Sequence, residues 1–286
     1  MTTPARILRI ALDGPDMAGK TYTIRKMKTE LEALQKMNLD IPEFRIISLK
    51  WPSEEFRKTS LWKDVPLTIE RGVTIDDIEQ WAKAIILDMA VTIEHIVTRK
   101  DGRKIETLDN LNTVILEDRS IVSTIVYQYA RYLFSQAQKT GVQLNFREVI
   151  PRSVEINFIR WFYWVQSIYN MCMDNIEKDD YVHGVVGTLI ILKQTLRKSS
   201  AEGDKSRNNT PTDEFFEKMA PLVNDLFTVF CGKITKDPER YFSGLYDIHI
   251  IDGCEGERKE NADFATLAAC GVATDAISRW FKELRE

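Results

Sequence analysis

Ile7-Leu8-Arg9-Ile10-Ala11-Leu12-Asp13-Gly14-Pro15-Asp16-Met17-Ala18-Gly19-Lys20-Thr21-Tyr22-Thr23 is the stretch from which the fold is read. Ile7 to Leu12 is a short apolar run that stops at Asp13-Gly14, the pattern of a buried strand. From Tyr22 to Met37, Ile24, Met27, Leu31 and Leu34 recur at helical spacing. Between strand and helix, Gly14 to Thr21 spells G-x-x-x-x-G-K-[ST]. Glycines at its ends let backbone N–H groups face phosphate oxygens with no Cβ in the way. The helix that opens near Gly19 adds the partial positive charge of its N-terminus. Lys20 supplies a full positive charge, and Thr21 a hydroxyl for Mg²⁺. The span Gly14, Asp16, Met17, Ala18, Gly19, Lys20 and Thr21 is therefore expected to wrap a nucleoside triphosphate such as ATP.

Outward from this segment, apolar runs and helical patterns alternate. Four further strands are expected at Phe44–Leu49, Thr113–Leu116, Gly187–Leu192 and Tyr246–Ile251. Helices are expected over Asp76–Arg99, Ile121–Lys139, Ser153–Asp174, Glu214–Cys231 and Asp263–Leu284. Short, nearly all-apolar strands between helices are the mark of a parallel sheet covered on both faces. The expected fold is thus α/β with three layers, a P-loop NTPase fold with a central parallel sheet of about five strands. One domain is expected over 1–286. Arg197 to Asp213, polar, basic and broken by Gly, Asn and Pro, is expected to be a lid loop. Residues 146–180 read as an enlarged helical insertion.

The third strand runs into Glu117-Asp118-Arg119-Ser120. A carboxylate at the end of a strand beside the phosphate-binding loop can hold Mg²⁺, directly or through water, and Asp118 is assigned that task with Thr21. Arg119 can grip a second phosphate in bidentate fashion.

Bulk properties set outer bounds. The chain has 286 residues, 44% hydrophobic and 29% charged, with a formal net charge of −4. That balance gives no whole-chain basic excess of the kind that marks nucleic-acid binders. Arg6 and Arg9 interrupt any secretory leader, and no run of 18 apolar residues is present. The four cysteines show no zinc spacing and read as reduced thiols. A cytoplasmic protein without membrane partners is expected. Trp161-Phe162-Tyr163-Trp164 reads as core or dimer packing in preference to a nucleic-acid stacking surface, and a homodimer is expected. His183 and His249 read as structural.

ILRIALDGPDMAGKTYT resembles the opening of thymidylate kinases, in which an aspartate sits inside the loop as Asp16 does here. Glu117 to Gln128 (EDRSIVSTIVYQ) resembles their D-R-Y-x-x-S-x-x-A-Y-Q segment. GTLIIL, a basic loop, FFEKM and YDIHIIDG follow in the order of that architecture. Deoxyribonucleoside kinases have a similar E-R-S segment.

The resemblance implies Mg²⁺-dependent transfer of the ATP γ-phosphate to a deoxynucleoside monophosphate, dTMP-like or a modified pyrimidine. It places Asp16 on the sugar 3′-hydroxyl, Asp118 in the Mg²⁺ shell and Arg119 on the acceptor phosphate. It places Tyr127 against the sugar 2′ position and Ser123 and Gln128 in the acceptor pocket. Lys20, Asp118 and Arg119 are the expected catalytic residues. One branch of the family has an arginine where Met17 stands, so transition-state charge is expected from the lid, from Arg207 first and Arg197 second.

The pattern also breaks. With His95 as anchor, the base-reading arginine and stacking aromatic of the long helix become Thr92 and Asp88. After strand two, Trp51-Pro52 lacks the family's arginine in register, with Arg57 close by. Trp51 is a candidate stacking surface and equally a core residue. Asp88 could accept from an exocyclic amine or an added hydroxyl. Alternatives are a deoxynucleoside kinase, a kinase of a hydroxylated base in DNA, and a nucleotide-binding switch or scaffold.

Overall fold

The computed structural model describes residues 5–15, 18–37, 43–98, 112–141, 151–177, 182–193, 211–234, 247–252 and 258–283. Five strands, β1 (Ala5–Asp13), β2 (Phe44–Lys50), β3 (Asn112–Asp118), β4 (Val182–Lys193) and β5 (Asp247–Asp252), form one sheet in the order β2-β3-β1-β4-β5. Every neighbouring pair is parallel. The long helices are α1 (Lys20–Met37), α5 (Ile75–Thr98), α6 (Ile121–Thr140), α7 (Arg152–Glu177), α8 (Pro211–Ile234) and α9 (Arg258–Glu283). Short helices α2 (Glu54–Arg57), α3 (Ser60–Lys63) and α4 (Val65–Arg71) fill the segment between β2 and α5. No helix among the described residues is long and apolar enough to cross a membrane.

The order follows from the handedness of parallel crossovers. The connection from β1 to β2 runs one way across the sheet, and the later strands are added in the opposite direction. Right-handed connections then put α1 on one face and the helices between later strands on the other. The packing agrees. Leu8, Ile10 and Leu12 pack with Ile24, Met27 and Leu31 of α1 and with Ala273, Ile277 and Trp280 of α9. Ala11 packs on the opposite face with residues of α5, α6, α7 and α8. The strand period of two thus sorts β1 cleanly between two cores.

The nearly all-apolar strands carry a buried charge pair. Arg9 and Glu117 point to the α5–α8 side and are 3% and 0% exposed. Arg9 Nε and NH2 donate to Glu117 Oε1 and Oε2 at 2.5 and 3.0 Å, and NH1 donates to the Tyr169 hydroxyl at 2.8 Å. Trp51 Nε1 adds a hydrogen bond to Glu117 Oε2 at 2.8 Å. A buried charge pair is tolerable only when its remaining donors and acceptors are met in this way.

The five strands and six long helices read from the sequence are present, with ends shifted by a few residues. The short helices α2 to α4 were not anticipated. Ser53 and Thr59 open α2 and α3 as N-caps, with side chains accepting from Phe56 N and Trp62 N. One-turn helices carry too little periodicity to be seen in a sequence. Of the expected lid, 197–210 lies outside the described residues, and Pro211, Thr212 and Asp213 begin α8. Within 146–180, α7 packs against α5, α6 and β4. Trp161 and Phe162 are buried, and Trp161 Nε1 donates to Ile125 O at 2.9 Å, so the aromatic run belongs to the core. Cys172 and Cys270 are free thiols, and Cys231 is buried.

Candidate functional site

The site is built at the carboxyl ends of β1 and β3, where ligands bind in open parallel sheets. Leu12 pairs with Asp118, so the phosphate-binding loop and the E-D-R-S segment leave the sheet side by side. Arg119 N donates to Leu12 O at 2.9 Å and Trp51 N to Asp118 O at 3.1 Å, which carries the ladder past the strand ends. Arg119 itself has φ 83°, an uncommon conformation for a residue with a Cβ. Gly14 has φ 140°, and a Cβ there would collide with the carbonyl oxygen of Leu192 in β4. Only glycine fits.

Asp13 ties the two motifs together. Its carboxylate is fully buried. Oδ1 accepts from Gly14 N at 2.9 Å and from the Ser123 hydroxyl. Oδ2 accepts from Ser120 N at 2.9 Å, Ser120 Oγ at 2.5 Å and Ser123 N at 3.0 Å. Ser120 is also the N-cap of α6, accepting from Val122 N at 3.0 Å. A carboxylate at this helix start satisfies orphan N–H groups and suits the helix dipole.

Lys20 is buried, and its Nζ folds back to donate to Gly14 O and Pro15 O at 2.8 and 2.5 Å. Ala18 N donates to Pro15 O at 3.3 Å and Thr23 N to Gly19 O at 2.9 Å, closing the loop and opening α1. Thr21 Oγ1 donates to Asp118 Oδ2 at 2.6 Å across 97 residues of chain. Both residues assigned to Mg²⁺ are therefore in contact. Among the described residues no cluster of three or more His, Cys, Asp or Glu could hold a metal alone. A carboxylate and a hydroxyl are hard oxygen donors of the kind Mg²⁺ takes alongside phosphate oxygens and water.

Beside this pair lies an open cleft with a cavity volume of about 30 Å³. Trp51 and Pro52 border it, joined by a cis peptide bond. Arg119, Ser123, Tyr127 and Gln128, all assigned to the acceptor, line it too. The Arg119 guanidinium lies over the Tyr127 ring, 4.9 Å from its centre. Arg57 Nε donates to Pro52 O at 3.1 Å. Burial, and next the nearby charge of Arg119, lower Arg57 below the usual arginine value, while Asp118, Glu54 and Asp88 pull the other way.

Other assigned residues sit elsewhere. Asp88 on α5 is committed to the turn after β2, with Oδ2 accepting from Ser53 N at 2.8 Å and Oδ1 from Ser53 Oγ at 2.5 Å. Thr92, one turn further, is half-buried and does not border the cleft. Trp51 is 2% exposed with its N–H on Glu117, so it is a core wall before it is a stacking surface. Asp16, Met17, Arg197 and Arg207 lie outside the described residues. His249 Nε2 is 3.0 Å from Asp247 Oδ2.

Asp13, Glu117 and the cleft residues Trp62, Ser120, Thr124 and Arg131 went unassigned in the sequence. In the sequence Asp13 marks only the end of the first apolar run, and Arg9, the partner of Glu117, only an interruption of any secretory leader. The readable signal was a basic residue inside one apolar strand and an acidic one at the end of another.

No family model matches the sequence, and no curated protein matches it. Among solved structures, the chain is similar to the thymidylate kinase of Ehrlichia chaffeensis, with 16% identity, a TM-score of 0.42, and coverage of 93% of this chain and 98% of that one. It is also similar to the thymidylate kinase of Candida albicans, with 15% identity, a TM-score of 0.46, and coverage of 97% of this chain and 95% of that one.

Proposed function

We propose that this protein transfers the γ-phosphate of ATP to a deoxynucleoside monophosphate and releases the diphosphate. The observation that carries the reading is the Thr21–Asp118 contact at 2.6 Å beside the buried Lys20, with a second cationic site next to it. A triphosphate held by the Gly14–Thr21 loop would lie at the N-terminus of α1. An acceptor phosphate held by Arg119 and Arg57 would face it across the strand ends. The intervening carboxylate and hydroxyl would hold Mg²⁺, which supplies charge neutralisation at the phosphates.

The chain's own contribution is positioning and electrostatics, as expected for phosphoryl transfer. Lys20 is poised against two loop carbonyls and can turn to phosphate oxygens without leaving the loop. Asp13 holds Gly14 and the start of α6 in one register, so donor and acceptor sites move together. Tyr127 packs edge-on against Phe227, with ring centres 6.2 Å apart, and offers its face to Arg119. That fixes an aromatic wall where the acceptor sugar would lie.

The test is ATP consumption with Mg²⁺ against deoxy- and ribonucleoside monophosphates, nucleosides, and single- and double-stranded DNA. Turnover confined to one or a few deoxynucleoside monophosphates supports the proposal. Turnover only with nucleosides or DNA moves the protein to another kinase class, and ATP binding with no stimulated turnover makes it a switch or scaffold. Within an active enzyme, Arg119→Ala should raise the acceptor KM far more than the ATP KM.

A further inference from the structure

We propose that Asp88 is a positioning residue for the transfer: it touches neither nucleotide and acts through Ser53 and α2 to set the place of Arg57. This rests on the acceptor reading above. Asp88 does not border the cleft. Both of its oxygens are turned to Ser53, Oδ2 accepting from the backbone N–H at 2.8 Å and Oδ1 from the hydroxyl at 2.5 Å. Ser53 Oγ accepts in turn from Phe56 N at 3.1 Å as the N-cap of α2. A helix of one turn has too few hydrogen bonds of its own to hold itself, so its place depends on what it is tied to. Besides Asp88, α2 is tied by Phe56, which is buried and meets the Trp62 ring edge-on at 6.0 Å.

Arg57 is the last residue of α2 and is half-buried. Its Nε donates to Pro52 O at 3.1 Å. Pro52 lies between two pins. Trp51 is fastened to β3, through its N–H on Asp118 O and its indole on Glu117. Ser53 is fastened to α5 by Asp88 alone among the described carboxylates. Arg57 thus hangs on the carbonyl between them. It feels the charges of both Arg119 and Asp118, the residues assigned to the acceptor phosphate and to Mg²⁺. Phosphoryl transfer depends on placing such a cation accurately, and a displacement of about 1 Å can cost about 100-fold in rate. A carboxylate one layer behind the cleft supplies that accuracy without spending contact on the substrate.

The experiment measures the ATP KM, and kcat/KM for the deoxynucleoside monophosphates that the wild type turns over, in Asp88→Ala, Arg57→Ala and the double variant. Asp88→Ala should lose about 10- to 100-fold in acceptor kcat/KM, with the ATP KM held within about threefold. Because Asp88 acts through Arg57, the double variant should lose no more than about threefold beyond Arg57→Ala alone. The factor lost should be the same for every base accepted, since the clamp acts on the phosphate side. Asp88→Asn keeps an oxygen for the Ser53 N–H and should recover part of the loss. Thermal unfolding shows which variants are folded, and Ser53→Ala, which deletes only the clamped hydroxyl, carries the same test if Asp88→Ala is not. Additive losses in the double variant, a loss that changes with the base, or equal weakening of ATP overturns the inference and leaves the kinase reading intact. Turnover of no monophosphate by the wild type overturns both.

Discussion

Asp13 shows how much one side chain can organise. Its two oxygens receive five hydrogen bonds, from Gly14, Ser120 and Ser123. Asp13→Asn keeps the shape but sets an amide N–H₂ against donors. The variant should lose about 2–3 kcal/mol of stability, the cost of leaving buried donors unmet. Urea denaturation with an unchanged midpoint would show that Asp13 does not hold this frame. Thr21 is the matching case for chemistry. Thr21→Val removes the hydroxyl that meets Asp118 and keeps the volume. It should cut kcat about 10²-fold, comparable to the loss of one preorganised polar group at a transferring centre. It should also raise the Mg²⁺ concentration needed for half-maximal rate, and an unaltered Mg²⁺ dependence would take Thr21 out of the metal site.

Elements meet through the buried network of β1, β3, α7 and the turn after β2. Arg9, Glu117, Tyr169 and Trp51 each come from a different one of these. Removing one charge leaves the other buried and unpaired, so Arg9→Met or Glu117→Leu should each cost about 3–5 kcal/mol. The double variant removes both charges and should be clearly more stable than the sum of the single losses implies. A double-mutant cycle by chemical denaturation reads this directly. Strict additivity would mean that the pair is not coupled. The same network explains why the wall at Trp51 is rigid: its indole N–H is spent on a carboxylate that Arg9 holds in place.

Across the molecule, two cores flank the sheet, and the loops that follow β1 and β3 leave its carboxyl edge together. A ligand that bridges those loops should therefore report on global stability. Mg²⁺ with ATP at 100 times its Kd should stabilise the folded state by about 2.7 kcal/mol. The unfolding midpoint should rise accordingly, and Lys20→Met should abolish most of the rise. A full shift retained in that variant would place the triphosphate elsewhere.

Strand and helix order, the parallel sheet and the glycine-bearing loop between β1 and α1 were all legible in the chain. Each is written in local pattern: apolar runs of strand length, apolar residues at helical spacing, and glycine, lysine and threonine at fixed offsets. The Thr21–Asp118 pair was legible too, because both residues belong to short contiguous motifs. Arg9 with Glu117, Gln128 with Arg131, and Asp88 with Ser53 were not. Such pairs depend on which strands become neighbours, how a helix face is rotated and which side chain reaches a donor first. Buried polar partners must be satisfied, but many pairings satisfy them equally well in a one-dimensional string. Packing selects one pairing, and in doing so it gave Asp88 to a turn and Gln128 to the arginine of α6.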